Sequence, residues 1–250
     1  MSSLPSRKND VLNKIRQGKI KSSSNKSRRP KRLNKGQIAK TIANTSLPKL
    51  LMAIDATASR ERCWSVAQEI TEGMFLAVPK ELEIGLAYHG GSKVREITSF
   101  TTDKKKFAEK IRSVRCLAGQ TALNDILDLS SDINRLRVIV YVGDRYEENI
   151  NEALGIVSSL ALKGVRLFFF HDTSDAEDQE NLPYDLQETA KAFQTLAETG
   201  RGAVFPFDAN SPEIIKSILE ALAYYSSRGI EALKQLNTPG ALKLLSAIKD

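Results

Sequence analysis

At 250 residues, 41% hydrophobic and 27% charged, the chain has room for one sizeable α/β domain plus extensions. Its apolar runs, such as Val138-Ile139-Val140-Tyr141-Val142, are too short to span a bilayer, and two cysteines, Cys63 and Cys116, make no disulfide framework. The net charge of +7 divides unevenly: residues 1–40 hold thirteen Lys or Arg against Asp10 alone, a net of +12, while the other 210 residues hold 24 bases against 29 acids, a net of −5.

The chain therefore reads as a basic arm, residues 1–46, joined to a mildly acidic globule. The arm is rich in Ser, Asn, Lys and Arg, a composition that buries too little apolar surface to offset ordering entropy. Its centre, Ser22 to Arg32, reads as disordered, and two short stripes, Val11-Leu12-Ile15 and Ile38-Ile42-Ala43, read as helical pieces. Three readings compete for it: a solvated tail, a nucleic-acid contact through phosphates, and a helix docking on an acidic partner or anionic surface. The arm holds no aromatic residue to stack on bases, which weighs against specific single-strand recognition. The opening MSSLPSRKND carries no apolar signal core, so a reduced, cytoplasmic setting is expected.

The globule, 47–236, begins with Lys49 to Ala56, an apolar run that breaks into Asp55, Thr57 and Ser59. That pattern predicts a buried parallel strand reaching its carboxyl end. A helix is expected from Ser59 to about Val78, with Trp64, Ala67, Ile70, Met74 and Phe75 on one face and Pro79 as its stop. Leu82 to His89 alternates as a half-buried strand, Gly90-Gly91 reads as a hairpin turn, and Lys93 to Ser99 reads as a polar edge strand. Helices follow over Asp103 to Val114 and Ala122 to Ile133. Arg137 to Asp144 is the second apolar strand ending on an acid, then come a helix over Asn149 to Lys163 and a third such strand, Val165 to Asp172. The acids Asp172, Asp175, Glu177, Asp178 and Glu180 read as a solvated charge run without the mid-loop glycine of a calcium hand. A helix over Asp185 to Thr199, a strand over Ala203 to Asp208 and one long helix from Pro212 to Leu236 complete the globule. Residues 237–250 read as a tail or short helix.

This alternation predicts a Rossmann-like α/β fold: a mostly parallel six-stranded open sheet with one antiparallel edge strand and helices on both faces. Ligands of such sheets bind beyond the carboxyl ends of the strands. Asp55, Thr57 and Ser59 from the first turn, Thr121 before a helix and Asp144 after a central strand would meet at that rim. Two carboxylates and three hydroxyls form an oxygen set suited to Mg²⁺, with Mn²⁺ or Ca²⁺ as alternatives, and with room left for water or a ligand. Each residue taken singly is also an ordinary turn or cap residue, Ser59 and Thr121 as helix caps among them.

On these residues the chain resembles the von Willebrand factor type A (VWA) domain with its metal-ion-dependent adhesion site (MIDAS). Asp55-Ala56-Thr57-Ala58-Ser59 matches the family's Asp-x-Ser-x-Ser with Thr in place of one Ser. Thr121 in GQTALNDIL matches its threonine loop, and Asp144 in VIVYVGD its final aspartate. The resemblance covers about Ser46 to Ser226, and IDATASRE, VGDRYEE and PFDANSP are similar to a short bacterial, cytoplasmic subgroup. It implies metal contact through Thr57 and Ser59, through Thr121 directly or by water, and through the two aspartates mainly by water. It further implies an open coordination position for a Glu or Asp carboxylate of a partner protein, and adaptor work in chaperone or ATPase assemblies. The arm has no counterpart in the family domain.

The rival reading is a haloacid-dehalogenase-like phosphohydrolase, with Asp55 as nucleophile and Gly143-Asp144 as a later acid motif. Its general acid, two residues after the nucleophile, would fall on Thr57, which cannot serve. His89 and His171 lack zinc-hydrolase spacing and read as hydrogen-bonded histidines at strand ends. The sequence reading is thus a non-enzymatic, metal-dependent protein-binding module, with the basic arm as a second contact to protein, nucleic acid or an anionic surface.

Overall fold

In a computed structural model of the chain, the apolar run at Leu50 forms strand β1 (Lys49–Asp55), buried at every position except Lys49. The structure describes residues 47–62, 68–69, 79–174, 176, 183–207 and 212–248. The chain divides into two units, Met1–Thr45 and Ser46–Asp250, and the description concerns the second. The basic arm, the helical face expected at Trp64 to Phe75, and the acids Asp175, Glu177, Asp178 and Glu180 lie outside the described residues.

β1 sits in the middle of a six-stranded sheet of order β3-β2-β1-β4-β5-β6. The other strands are β2 (Glu83–His89), β3 (Val94–Ile97), β4 (Leu136–Gly143), β5 (Arg166–Asp172) and β6 (Val204–Phe207). All neighbours pair in parallel except β2 with β3, whose hairpin supplies the antiparallel edge. A strand buried on both faces needs apolar side chains in both directions, and this is why the central strands are continuous apolar runs rather than alternating ones.

Among the described residues the helices are α1 (Lys104–Ser113), α2 (Leu123–Ser130), α3 (Ile150–Leu162), α4 (Tyr184–Thr199), α5 (Pro212–Arg228), α6 (Ile230–Gln235) and α7 (Pro239–Ala247). Leu50, Met52 and Ile54 of β1 point to one face, where Phe107 and Ile111 of α1 and Ile215, Ile218 and Leu222 of α5 cover them. Leu51 and Ala53 point to the other face, under Leu123 and Ile126 of α2, Val157 of α3 and Phe193 and Leu196 of α4. Each fully buried Leu, Ile or Phe contributes about 1.5–3 kcal/mol to holding these layers together. The period of two along β1 also assigns Asp55 to the Leu51–Ala53 face, which matters for the site.

Two helical expectations change. The helix expected from Ser59 to Val78 starts instead as a short 3₁₀ turn, Ala58–Arg62; Gln68 and Glu69 are helical as expected, and the rest of it lies outside the described residues. The single helix expected from Pro212 to Leu236 breaks at Gly229, whose φ of +78° is left-handed and open to glycine at little cost. Its N–H closes α5 on the Tyr225 carbonyl at 2.8 Å, and the turn lets α6 bury Leu233. The closing residues form α7, capped by Thr238, with Ala241 and Leu244 buried in the same core as α5.

Candidate metal site at the carboxyl rim

β1 and β4 are hydrogen-bonded neighbours, with Ile54 opposite Val142, so Asp55 and Asp144 leave adjacent strands at the same end of the sheet. Both are buried. The Thr57 N–H donates to Asp55 Oδ1 at 2.8 Å, closing a tight turn. Among the described residues, Asp55 Oδ2 and both carboxylate oxygens of Asp144 are buried without a hydrogen-bond partner. Buried carboxylate oxygens left this way cost free energy unless a proton or cation meets them. Arg145 Nη1 stands 3.8 Å from Asp144 Oδ2, but its Nε donates to Asp185 at 2.8 Å.

The titration of Asp55 registers the same conflict. Burial first, and the charge of Asp144 second, push its carboxyl up to about 7.

The three hydroxyls sit on the turn after β1 and in the loop before α2. Thr57 Oγ1 and Ser59 Oγ are 3.0 Å apart on the turn after Asp55. Thr121 is buried in the loop before α2, which the chain carries to this rim: the Leu117 N–H donates to the Ala56 carbonyl at 2.9 Å. Thr121 does not cap α2. Instead its Oγ1 accepts from the Glu147 N–H and its N–H donates to Glu147 Oε2, both at 3.2 Å. Glu148 takes the capping role from the loop after β4, accepting from the Leu123 and Asn124 N–H groups at 2.7 and 2.8 Å. Burial nonetheless raises the Glu148 carboxyl above the ordinary carboxylate range. Glu147 and Glu148 thus stitch the threonine loop to the loop after β4. Sequence reasoning missed this role, and the charge pair in DRYEE was its only local trace.

Two histidines sit on the same rim, each at the last turn of its strand and each buried. His89 lies opposite Asp55 in the β1–β2 register, with Nδ1 3.8 Å from Asp55 Oδ1 and Nε2 2.8 Å from the Tyr141 hydroxyl. Burial brings its pKa down to about 4, so the ring is neutral. His171 lies across β4 opposite Gly143, and burial lowers its pKa too.

Asp172 corrects an expectation. It is buried rather than solvated, and it pairs with Arg60, itself fully buried and stacked on Phe207. Asp172 Oδ1 also accepts from the N–H and hydroxyl of Ser174 at 2.9 and 2.5 Å. A cleft of about 870 Å³ lined by Arg166, Gln194, Arg201 and Val204 lies at the opposite end of β5 and β6 and shares no residue with the rim.

The donor set fits a hard divalent cation: two carboxylates with open oxygens, and neutral hydroxyls around them. Among the described residues no three His, Cys, Asp or Glu side chains gather as a metal cluster, so hydroxyls and water would supply the remaining ligands. Also among the described residues, no helix is long and apolar enough to cross a membrane.

No family model matches the sequence, and no curated protein matches it significantly. Solved structures match it in fold. A von Willebrand factor type A protein from Catenulispora acidiphila aligns with a TM-score of 0.56 and 14% identity over 73% of this chain and 43% of that one. Proximal thread matrix protein 1 from the mussel byssus, with a zinc-occupied MIDAS motif, gives 0.53 and 11% identity over 71% and 46%. The manganese-loaded TRAP protein of Plasmodium vivax gives 0.50 and 15% identity over 70% and 74%. The chain spans less than half the length of the first two of these. At such identities the likeness is one of architecture, and the central parallel strands with a single antiparallel edge are the VWA fold.

Proposed function

We propose that this chain is a divalent-metal-dependent protein-binding module. A Mg²⁺-class cation would be held at the rim by Asp55, Thr57, Ser59, Thr121 and Asp144, and a partner's Glu or Asp carboxylate would complete its coordination. The observation that carries the reading is the pair of buried acids on adjacent central strands, with three carboxylate oxygens that lack hydrogen-bond partners among the described residues. A bound cation supplies positive charge and an exchangeable ligand position, and the protein supplies a fixed oxygen array. The metal-bearing fold neighbours support the class of ion without choosing among Mg²⁺, Mn²⁺ and Zn²⁺.

Non-enzymatic adaptor work in a bacterial cytoplasm is the setting this reading suits best, with the basic arm, net +12 over residues 1–40, as a second contact for polyanions or an acidic partner. A phosphatase is disfavoured because Thr57 stands where an acid must be. The test is calorimetric titration of Mg²⁺ and Mn²⁺ into chelator-stripped protein, alongside Asp55→Ala. Saturable binding lost in the variant supports the proposal, and no heat or thermal shift with either ion defeats it. Turnover of a generic aryl phosphate would move the chain to the enzyme class.

A further inference from the structure

We infer that His89, fixed by Tyr141, is a positioning residue that orients the Asp55 carboxylate toward the metal position. The inference rests on the metal-site reading above, and goes beyond its five residues.

The arrangement follows from register and from one missing side-chain carbon. Ala53 of β1 lies opposite Ala87 of β2 and opposite Tyr141 of β4, and Asp55 lies opposite His89. By the period of two, Asp55, His89 and Tyr141 all belong to the same face of the sheet. Tyr141 starts one pleat below the rim. An ideal Cβ on Gly143 would lie 2.6 Å from the Tyr141 ring and 2.9 Å from its hydroxyl. The glycine therefore lets the ring lie up along the strand toward the rim. Phe169 and Phe193 meet that ring edge-on, with centroids 5.9 and 5.7 Å away, and hold it there. Its hydroxyl arrives 2.8 Å from His89 Nε2, and the two rings are within 16° of coplanar planes at 5.9 Å.

The 2.8 Å contact fits either tautomer of His89, and in the proposed one the buried Tyr141 phenol donates. The acceptor beside it is His89 Nε2. A neutral imidazole that accepts at Nε2 carries its hydrogen on Nδ1. Nδ1 is buried, has no hydrogen-bond partner among the described residues, and stands 3.8 Å from Asp55 Oδ1. That is longer than a hydrogen bond, and a ring adjustment of about 1 Å would close it. Even at the observed range the N–H dipole favours the ionised carboxylate. With Oδ1 held by the Thr57 N–H and faced by Nδ1–H, Oδ2 is left as the oxygen turned to a cation. This is the pattern by which outer-shell partners fix the ligands of metal sites, where their loss costs about 10–100-fold in affinity.

The test uses the full chain. Long-range ¹⁵N–¹H correlation of the histidine side chains reads the tautomer, and Mn²⁺ titration reads affinity, for wild type, Tyr141→Phe, His89→Phe and His89→Asn. The expected result is an Nδ1–H tautomer in wild type that is lost or mixed in Tyr141→Phe. Mn²⁺ affinity should fall about 10-fold or more in Tyr141→Phe and His89→Phe, with partial recovery in His89→Asn, whose amide places a donor near Nδ1. Tyr141→Phe removes one oxygen and decides the matter if His89→Phe does not fold. An Nε2–H tautomer in wild type overturns the inference, as does Mn²⁺ affinity within twofold of wild type in Tyr141→Phe. If wild type binds no Mn²⁺, the metal reading fails by itself, and the apo tautomer still decides whether this relay exists.

Discussion

Replacing Asp144 by Asn should make the metal-free protein more stable and the metal-loaded protein less so. Asp55 carries the magnitude. Its carboxyl titrates at about 7 in the fold, pushed up by burial and then by the Asp144 charge. The folded pKa lies above the unfolded one. The stability linked to this proton is therefore fully present below about pH 4 and is gone once the pH passes about 7. About three pH units at about 1.4 kcal/mol each amount to about 4 kcal/mol withheld from the metal-free fold at pH 8. Burial is the larger cause, so neutralising Asp144 should return less than half, about 1–2 kcal/mol at pH 8. For a domain of about 200 residues this is a rise of about 3–6 °C in Tm. At pH 5 Asp55 is already protonated and the gap should close. Thermal unfolding in chelator at pH 8 and pH 5, then with Mg²⁺ at pH 8, measures all three quantities. A variant that melts below wild type in chelator at pH 8, or keeps its advantage at pH 5, would refute the reasoning. So would a variant that gains as much as wild type from the ion.

Four further outcomes are expected. Because Asp55 must release its proton to meet a cation, apparent affinity for Mg²⁺ should climb up to about tenfold per pH unit below about 7 and flatten above it; a level profile from pH 5.5 to 7.5 by calorimetry contradicts this. Gly143→Ala drives a Cβ into the Tyr141 ring and should cost about 1–3 kcal/mol by urea unfolding, so an unchanged midpoint would show that the ring moves freely aside. Arg60→Met alone leaves Asp172 buried without its guanidinium and should cost about 3–5 kcal/mol, much of it regained when Asp172→Asn is added; additive losses in that double-mutant cycle would deny the pairing. Deleting residues 1–40 should abolish binding to a generic RNA whose affinity falls steeply with salt, and salt-independent binding that survives the deletion would remove the arm from the account.

Much of this architecture was legible because it rests on short-range signals. The runs LLMAI, VIVYV and LFFF allow nothing but buried strands once acids or turns bound them, and β1, β4 and β5 are found there. Asp103 and Asn149 cap α1 and α3 by the same local chemistry. What the sequence hid depends on partners far along the chain. Asp172 reads as one acid in an acidic run until Arg60, 112 residues earlier, is seen beside it. Glu148 is an unremarkable loop acid until the bare N-terminus of α2 is brought to it. The break at Gly229 was obscured because the apolar stripe continues through it to Leu233, and only the left-handed φ ends the helix. His89 stood out as a strand-end histidine, but its tie to Tyr141 needed the register of three strands and the space over Gly143.

The contrast among three rim acids is the strongest reason to look for an exogenous cation. Asp55, Asp144 and Asp172 end or follow adjacent parallel strands β1, β4 and β5, in equal burial. The fold can neutralise such an acid from within, as at Asp172, which receives the Arg60 guanidinium and two bonds from Ser174. Among the described residues Asp55 and Asp144 receive no comparable partner, Arg145 standing 3.8 Å from Asp144, although Arg60 directly follows the Asp55–Ser59 turn and Arg145 directly follows Asp144. Arg60 reaches Asp172, while Arg145 makes its closer bond to Asp185. Cationic side chains are thus within reach of the central pair in sequence, and the fold spends them on other acids. Local conflicts of this kind sit where a protein meets its ligand, since elsewhere the fold resolves them internally. Burial of the Asp55 charge, with Asp144 beside it, withholds about 4 kcal/mol at pH 8, a large part of the 5–15 kcal/mol that domains have, and a cation is the ligand class that reverses it.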